Sequence, residues 1–260
     1  MSPRLRLFLL LWIAGFTGVL SFLLVDISAL IKMLPEAEGM SQPDIPMSVI
    51  RLLAVIQPGV LVTLAVLAGM WLAPKAGLHA PATEALAERR PFFPALRPQI
   101  IPGIFGGILA GMAITTCWLL ATPFLSDEFI ARADAFNKMM PPITRFLYGG
   151  VTEEILLRWG MMTLIVCALW KAFDRGRGSP SSVWFVVSIV ASAILFGAGH
   201  LPIASALSGG LTAALTIYVI TANSIFGIAA GFLYWKRGLE SAVIAHMFAH
   251  VVLLAAIALS

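Results

Sequence analysis

Charge is what this sequence lacks. Asp, Glu, Lys and Arg make up 12% of its 260 residues, and hydrophobic residues make up 60%. Soluble domains carry about 25% charged and about 45–50% apolar residues. A water-soluble fold of this size cannot hide so much apolar surface, whereas a bilayer accepts it at roughly 20 apolar residues per crossing. No segment is left over for a soluble catalytic module. Cysteine is scarce too. Cys117 and Cys167 both fall in apolar runs and form no CxxC, so no disulfide scaffold or thiol redox motif is indicated. The 17 Lys and Arg residues cluster at the ends of apolar segments, as topology signals and headgroup contacts do. They form no basic–aromatic pattern, so nucleic acid is not an expected partner; the lipid bilayer is. Several catalytic signatures are also missing. There is no HExxH, because His246 and His250 enclose Met247, Phe248 and Ala249, and there is no GxSxG or P-loop. A paired-aspartate site fails as well, since Asp26 and Asp44 lie near segment ends and Asp127, Asp134 and Asp174 lie between segments.

What is present is a series of apolar runs, at about residues 5–34, 49–71, 100–124, 146–172, 183–199, 203–221, 223–235 and 242–260. They predict an all-α polytopic bundle of about eight transmembrane helices with an intramembrane polar site. It is one membrane domain, divided into N-terminal helices and loops (1–145) and a core (146–260). The charged start, Arg4 and Arg6, resembles that of a signal peptide, but the apolar region after it is too long, so it reads as a retained first span. The first linker is acidic, with Glu36, Glu38 and Asp44. The second is basic, with Lys75, Arg89, Arg90 and Arg97, as is the fourth, with Lys171, Arg175 and Arg177. The positive-inside rule then puts the N-terminus and the 74–99 and 171–180 loops in the cytoplasm; Lys236 and Arg237 fit poorly with eight spans. Gly107 with Gly111, and Gly227 with Gly231, have the GxxxG spacing of close helix packing.

The remaining polar residues need a reason, because a charge at mid-membrane costs about 2.5–3.5 kcal/mol on insertion scales. The fourth segment holds Glu153, Glu154 and Arg158. Pro141 and Pro142 set the start of this helix, which puts Glu153 about 15 Å inside it at about 1.5 Å per residue. Glu154 and Arg158, at i and i+4, predict a structural ion pair. Glu153 projects about 100° away with no partner in its own segment. A carboxylate held partly out of water suits proton transfer to and from a water molecule, although a second structural ion pair or a buried acid is the bland alternative. Three of the four histidines, His200, His246 and His250, lie in the C-terminal segments; His79 lies in the basic loop. Neutral imidazoles there either hydrogen-bond a water held by Glu153 or ligate a metal. For Glu153, His200 and His246 to share one cavity, two crossings are expected between His200 and Glu240.

Three motifs, in order, resemble the CPBP (Abi) family of intramembrane peptidases, which includes the type II CAAX prenyl endopeptidases and bacterial relatives linked to bacteriocin self-immunity. They are Glu153-Glu154-Ile-Leu-Leu-Arg158, Phe196-Gly-Ala-Gly-His200 and His246-Met-Phe-Ala-His250. The stretch Gly227-Ile-Ala-Ala-Gly231 and the string Gly238-Leu-Glu-Ser also look like the family, and the resemblance runs from about residue 148 to the C-terminus. His250 departs from the pattern, since the prenyl endopeptidases carry Asn there. The resemblance implies an endopeptidase cutting a peptide bond near the membrane surface, in a bacterial cytoplasmic membrane, on a peptide or membrane-associated protein that is prenylated in some members. It implies Glu153 as the base that activates water, His200 as its assistant, His246 and His250 as oxyanion or carbonyl contacts, and Glu154 with Arg158 as a structural pair. No cofactor is needed in that scheme. The alternative is a zinc ion held by Glu153, His200, His246 and His250, residues of ordinary zinc-ligand type. Two other functions stay open: a non-enzymatic immunity or scaffold protein of the same fold, and a proton-coupled transporter, for which no internal repeat is seen.

Overall fold

The structure is a computed structural model that describes residues 1–33 and 46–259. The acidic linker residues Glu36, Glu38 and Asp44 lie outside the described residues, as does Leu34 at the expected end of the first span. The described residues are helical, with no strand, and seven helices are long and apolar enough to cross a membrane. The chain is an integral, multi-pass membrane protein.

Helix α1 (Pro3–Ser21) starts at Ser2, whose hydroxyl accepts from the Leu5 amide with Pro3 at the first helical position. It tightens into a 3₁₀ turn to Leu24, and Asp26 then caps a separate short helix, α2 (Ile27–Lys32). The first span therefore ends near Leu24, ten residues earlier than expected. Helix α3 (Met47–Ala76) ends at Gly77, whose left-handed backbone (φ 71°) stops the helix. A short helix, α4 (Pro81–Ala87), leads to α5 (Phe92–Ala121), and α6 (Asp127–Met139), an amphipathic helix between the third and fourth spans, follows. Helix α7 (Pro142–Phe173) carries the first motif. Helices α8 (Ser182–Gly199), α9 (Leu201–Ser208), α10 (Ala213–Arg237) and α11 (Leu239–Leu259) complete the chain.

The expected sixth and seventh spans are one helix, α10, so the count is seven rather than eight. The break falls earlier than expected, at Gly209 and Gly210, which have positive φ and are followed by the Thr212 cap of α10. Beyond it the apolar run is uninterrupted; Asn223 turns its amide onto the Val219 carbonyl and does not break the helix. Seven spans also resolve the charge pattern. With one crossing per helix, Arg4 and Arg6, Lys75 to Arg97, Lys171 to Arg177, and Lys236 with Arg237 all fall on the same side of the bundle.

Both GxxxG pairs are contact points. A Cβ at Gly111 would meet Val252 at 2.8 Å and the Ala249 carbonyl at 3.0 Å, so α5 and α11 run side by side. One at Gly227 would meet Ala193 at 2.7 Å, which pins α10 against α8. A single core joins residues from both parts of the chain: Leu11, Val19 and Val62 pack in one cluster with Ile155, Trp159 and Met162. A smaller cluster, with Phe129, Leu207 and Val219, joins α6, α9 and α10.

Candidate active site

Helix α7 is unusually wound. Arg145–Glu153 and Ile155–Met162 follow π-helical geometry, with Glu154 between them. Such winding is rare and concentrates at functional sites. Its i to i+5 spacing shows in the side chains, since the Thr163 hydroxyl donates to the Arg158 carbonyl. Gly149 and Gly150 face α11 closely: a Cβ at Gly149 would come within 2.5 Å of His250 Nε2, and one at Gly150 within 2.8 Å of Met247.

Glu154 and Arg158 are completely buried, and Arg158 Nε lies 3.2 Å from Glu154 Oε2. The geometry is that of an ionic contact, because neither atom makes a hydrogen bond. The guanidinium also donates from Nη2 to the Gly227 carbonyl (3.1 Å) and lies 5.4 and 5.5 Å from the ring centres of Phe196 and Phe226. Two aromatic faces and a carboxylate thus hold a charge that lipid would reject.

Glu154 has a second partner that spacing did not reveal. Its Oε1 sits 2.8 Å from His246 Nδ1. An ionised carboxylate only accepts, so Nδ1 carries the proton and Nε2 points the other way. That nitrogen lies 3.8 Å from Glu153 Oε2, beyond a direct hydrogen bond. Glu153 keeps 18% of its side chain accessible, whereas Glu154 keeps none. His246 packs on Phe226 (ring centres 4.1 Å apart) and stacks on His250 (4.9 Å, 17° between planes). His250 Nδ1 is buried without a hydrogen-bond partner.

His200 sits at the junction of α8 and α9, where Pro202 follows. Its Nδ1 is 2.8 Å from the Phe196 carbonyl, an acceptor, which assigns the proton to Nδ1 and leaves Nε2 as a lone-pair acceptor. Phe196 packs edge-on to His200 and more distantly to His246, and so lies between the two histidines. His79, by contrast, is half-exposed and pairs with Glu84 at 3.4 Å, away from this site.

The expected double crossing between His200 and Glu240 is not there; α10 crosses once. The residues meet because none lies at a helix end facing the wrong surface. The span Ser182–Ser208 continues beyond His200 through α9, and His246 lies seven residues into α11, about 10 Å at helical rise.

A cavity of about 380 Å³ adjoins the cluster. Its wall includes His200, Arg145 and Asn223 among apolar and aromatic side chains such as Trp118, Phe136 and Leu253; Glu153, His246 and His250 are not part of it. Arg145 donates from Nη2 to the Asn137 carbonyl (2.6 Å) and to Asn137 Oδ1 (3.1 Å), while its Nε is buried with no partner. Sequence patterning does not single out Arg145 and Asn137, because α6 lies outside the apolar runs.

Zinc takes three or four His, Cys or carboxylate ligands. Among the described residues, no group of three or more His, Cys, Asp or Glu side chains is arranged to hold a metal ion. His246 commits one nitrogen to Glu154 and His200 one to a carbonyl, and the arrangement present is a carboxylate–imidazole pair rather than a ligand cage.

Comparison with curated proteins and with solved structures gives no match. A family model described as Type II CAAX prenyl endopeptidase Rce1-like matches residues 135–252, from the end of α6 through most of α11. All three motifs fall inside that segment, which is thus similar to the type II CAAX prenyl endopeptidase, Rce1-like family.

Proposed function

We propose that the protein is an intramembrane endopeptidase of a bacterial cytoplasmic membrane that hydrolyses a peptide bond with water activated by Glu153, without a metal. The observation that carries this reading is the Glu153–His246–Glu154 chain, buried within membrane helices beside a cavity walled by His200. A gap of 3.8 Å between Glu153 and His246 Nε2 leaves room for one water in contact with both. Glu153 takes the water proton as the oxygen attacks the scissile carbonyl, then returns it to the departing amine. His200, with Nε2 free to accept, holds the second hydrogen of that water. The oxyanion forms towards the stacked imidazoles. His250 Nδ1 gains there the hydrogen bond it lacks, and the proton that Glu153 has taken from the water is shared with the neighbouring His246 Nε2 while the oxyanion exists, so that His246 becomes a second donor with Glu154 as counter-charge before the proton passes to the amine. Glu154 and Arg158 position His246 and touch no substrate. Arg145, with donors to spare in the cavity wall, takes a carbonyl or carboxylate of the bound peptide. The substrate is a peptide or a membrane-associated protein tail, with prenylation as one way of concentrating it in the bilayer.

Purified protein in detergent, given a farnesylated CAAX peptide and a panel of unmodified peptides, is expected to cut at least one of them at a defined bond. Intact peptides throughout, read by product mass, would defeat the peptidase reading and favour the immunity or scaffold role.

A further inference from the structure

Helix α1 lies outside the segment that the family model matches, yet it braces the π-wound part of α7 from one side. The Thr144 hydroxyl donates to the Ser21 carbonyl (3.0 Å) and the Thr152 hydroxyl to the Gly15 carbonyl (2.7 Å). A Cβ at Gly18 would collide with Thr152 Oγ1 and the Leu147 carbonyl, so the two helices touch closely there. Between those anchors the ring of Tyr148 packs edge-on against Phe22, in the 3₁₀ turn after α1, with ring centres 4.5 Å apart.

Tyr148 and Glu153 stand five residues apart within the π-wound stretch Arg145–Glu153. In an α-helix that spacing turns two side chains about 140° apart, whereas i to i+5 winding brings them towards one face. The Glu153 charge accordingly acts on the Tyr148 hydroxyl. Gly149, beside Tyr148 in the chain, faces the histidines: a Cβ there would lie 2.5 Å from His250 Nε2 and 3.6 Å from His246 Nε2. Tyr148 is half-buried, and its hydroxyl makes no hydrogen bond to any described residue. A buried tyrosine hydroxyl ordinarily finds a partner, so one left without it has a reason to be there. Glu153 has the matching need. Neither of its oxygens makes a direct hydrogen bond to a described residue, and Oε2 lies 3.8 Å from His246 Nε2. A base that works on one water in a fixed direction must itself be held.

We propose that Tyr148 is a positioning residue for Glu153: its hydroxyl donates to a bridging water that donates in turn to Glu153 Oε1, keeping Oε2 turned towards His246 and the reacting water. Glu153 is the base only under the peptidase reading, on which this role rests. No bond forms or breaks at Tyr148, and the proton of the reaction stays among Glu153, His246 and the departing amine. Phe22 sets the direction of the phenol, so α1 takes part in orienting a site whose motifs all lie elsewhere in the chain.

The test compares the full chain with Tyr148→Phe, purified in detergent. The substitution keeps the ring against Phe22 and removes only a hydroxyl that no protein group holds, so melting is expected to stay as in the wild type. The kcat for a cleaved peptide is expected to fall about tenfold, the size of one hydrogen bond, with KM unchanged. Cleavage by Tyr148→Phe at the wild-type kcat overturns the proposal, as does a rise in KM with kcat intact. Infrared difference spectra give a readout that needs no peptide. The Glu153 carboxylate band is the one missing from Glu153→Gln, and Tyr148→Phe is expected to shift it. Phe22→Leu frees the ring but keeps the hydroxyl, and is expected to move the band the same way by less. A band unmoved by Tyr148→Phe, or moved by Phe22→Leu alone, overturns the positioning role. A protein that cuts no peptide but shows the Tyr148→Phe shift keeps the contact to Glu153 and loses the peptidase reading, so the two failures are told apart.

Discussion

Two arginines on one helix, Arg145 and Arg158, show how the same charge serves two ends in a membrane. Arg158 is sealed among Phe196, Phe226 and Glu154, with the Glu154 carboxylate 3.2 Å away opposing its charge. Arg145 stands in a cavity wall, held by the neutral Asn137 and with no carboxylate partner among the described residues. A charge whose partner is built into the fold supports the fold; a charge left partly unmatched beside a cavity is available to something that enters. The neighbouring glutamates repeat the lesson, Glu154 inside the packed network and Glu153 at its accessible edge.

Breaking the sealed side has the largest expected consequence. Arg158→Met leaves Glu154 buried without its counter-charge, which destabilises by about 3–5 kcal/mol. The measurement is thermal unfolding in detergent, and adding Glu154→Leu is expected to restore much of the loss. Next comes Glu154→Gln, which keeps the shape but weakens the hold on His246. Loss of a carboxylate that orients a metal-bound histidine costs about 10–100-fold, and a drop of that order is expected here in kcat more than in KM. On the open side, Arg145→Gln is expected to raise KM about tenfold, matching one lost charged hydrogen bond of about 1.5 kcal/mol, while melting stays as in the wild type. Gly149→Ala is smaller still. Its methyl group meets His250 Nε2 at 2.5 Å, so the ring must shift, and kcat should fall a few-fold without loss of fold. Chelator treatment is expected to change nothing, and activity that vanishes on chelation and returns with zinc would replace the metal-free scheme.

The sequence makes part of this legible. Scarce charge and long apolar runs announce a helical membrane protein, Pro141 with Pro142 marks the start of α7, and the spacing of Glu154 and Arg158 brings them together because i to i+4 neighbours stay close even in π winding. The helix count was not legible from apolar runs alone, because 203–235 reads as apolar throughout; the informative signal is Gly209-Gly210 with Thr212 behind it. The bond between Glu154 and His246 joins residues 92 positions apart, and no local pattern encodes it. Arg145 and Asn137 stay hidden for a similar reason, since their meeting depends on how α6 packs back against the start of α7.

Glu153 is the hinge of the account. The most direct test is the rate at which the purified wild type and Glu153→Gln cut the same peptide, with melting and peptide binding measured on both. Loss of the base is expected to slow cleavage by about 10²–10⁴-fold, with fold and binding retained. Cleavage by Glu153→Gln at the wild-type rate would contradict the assignment.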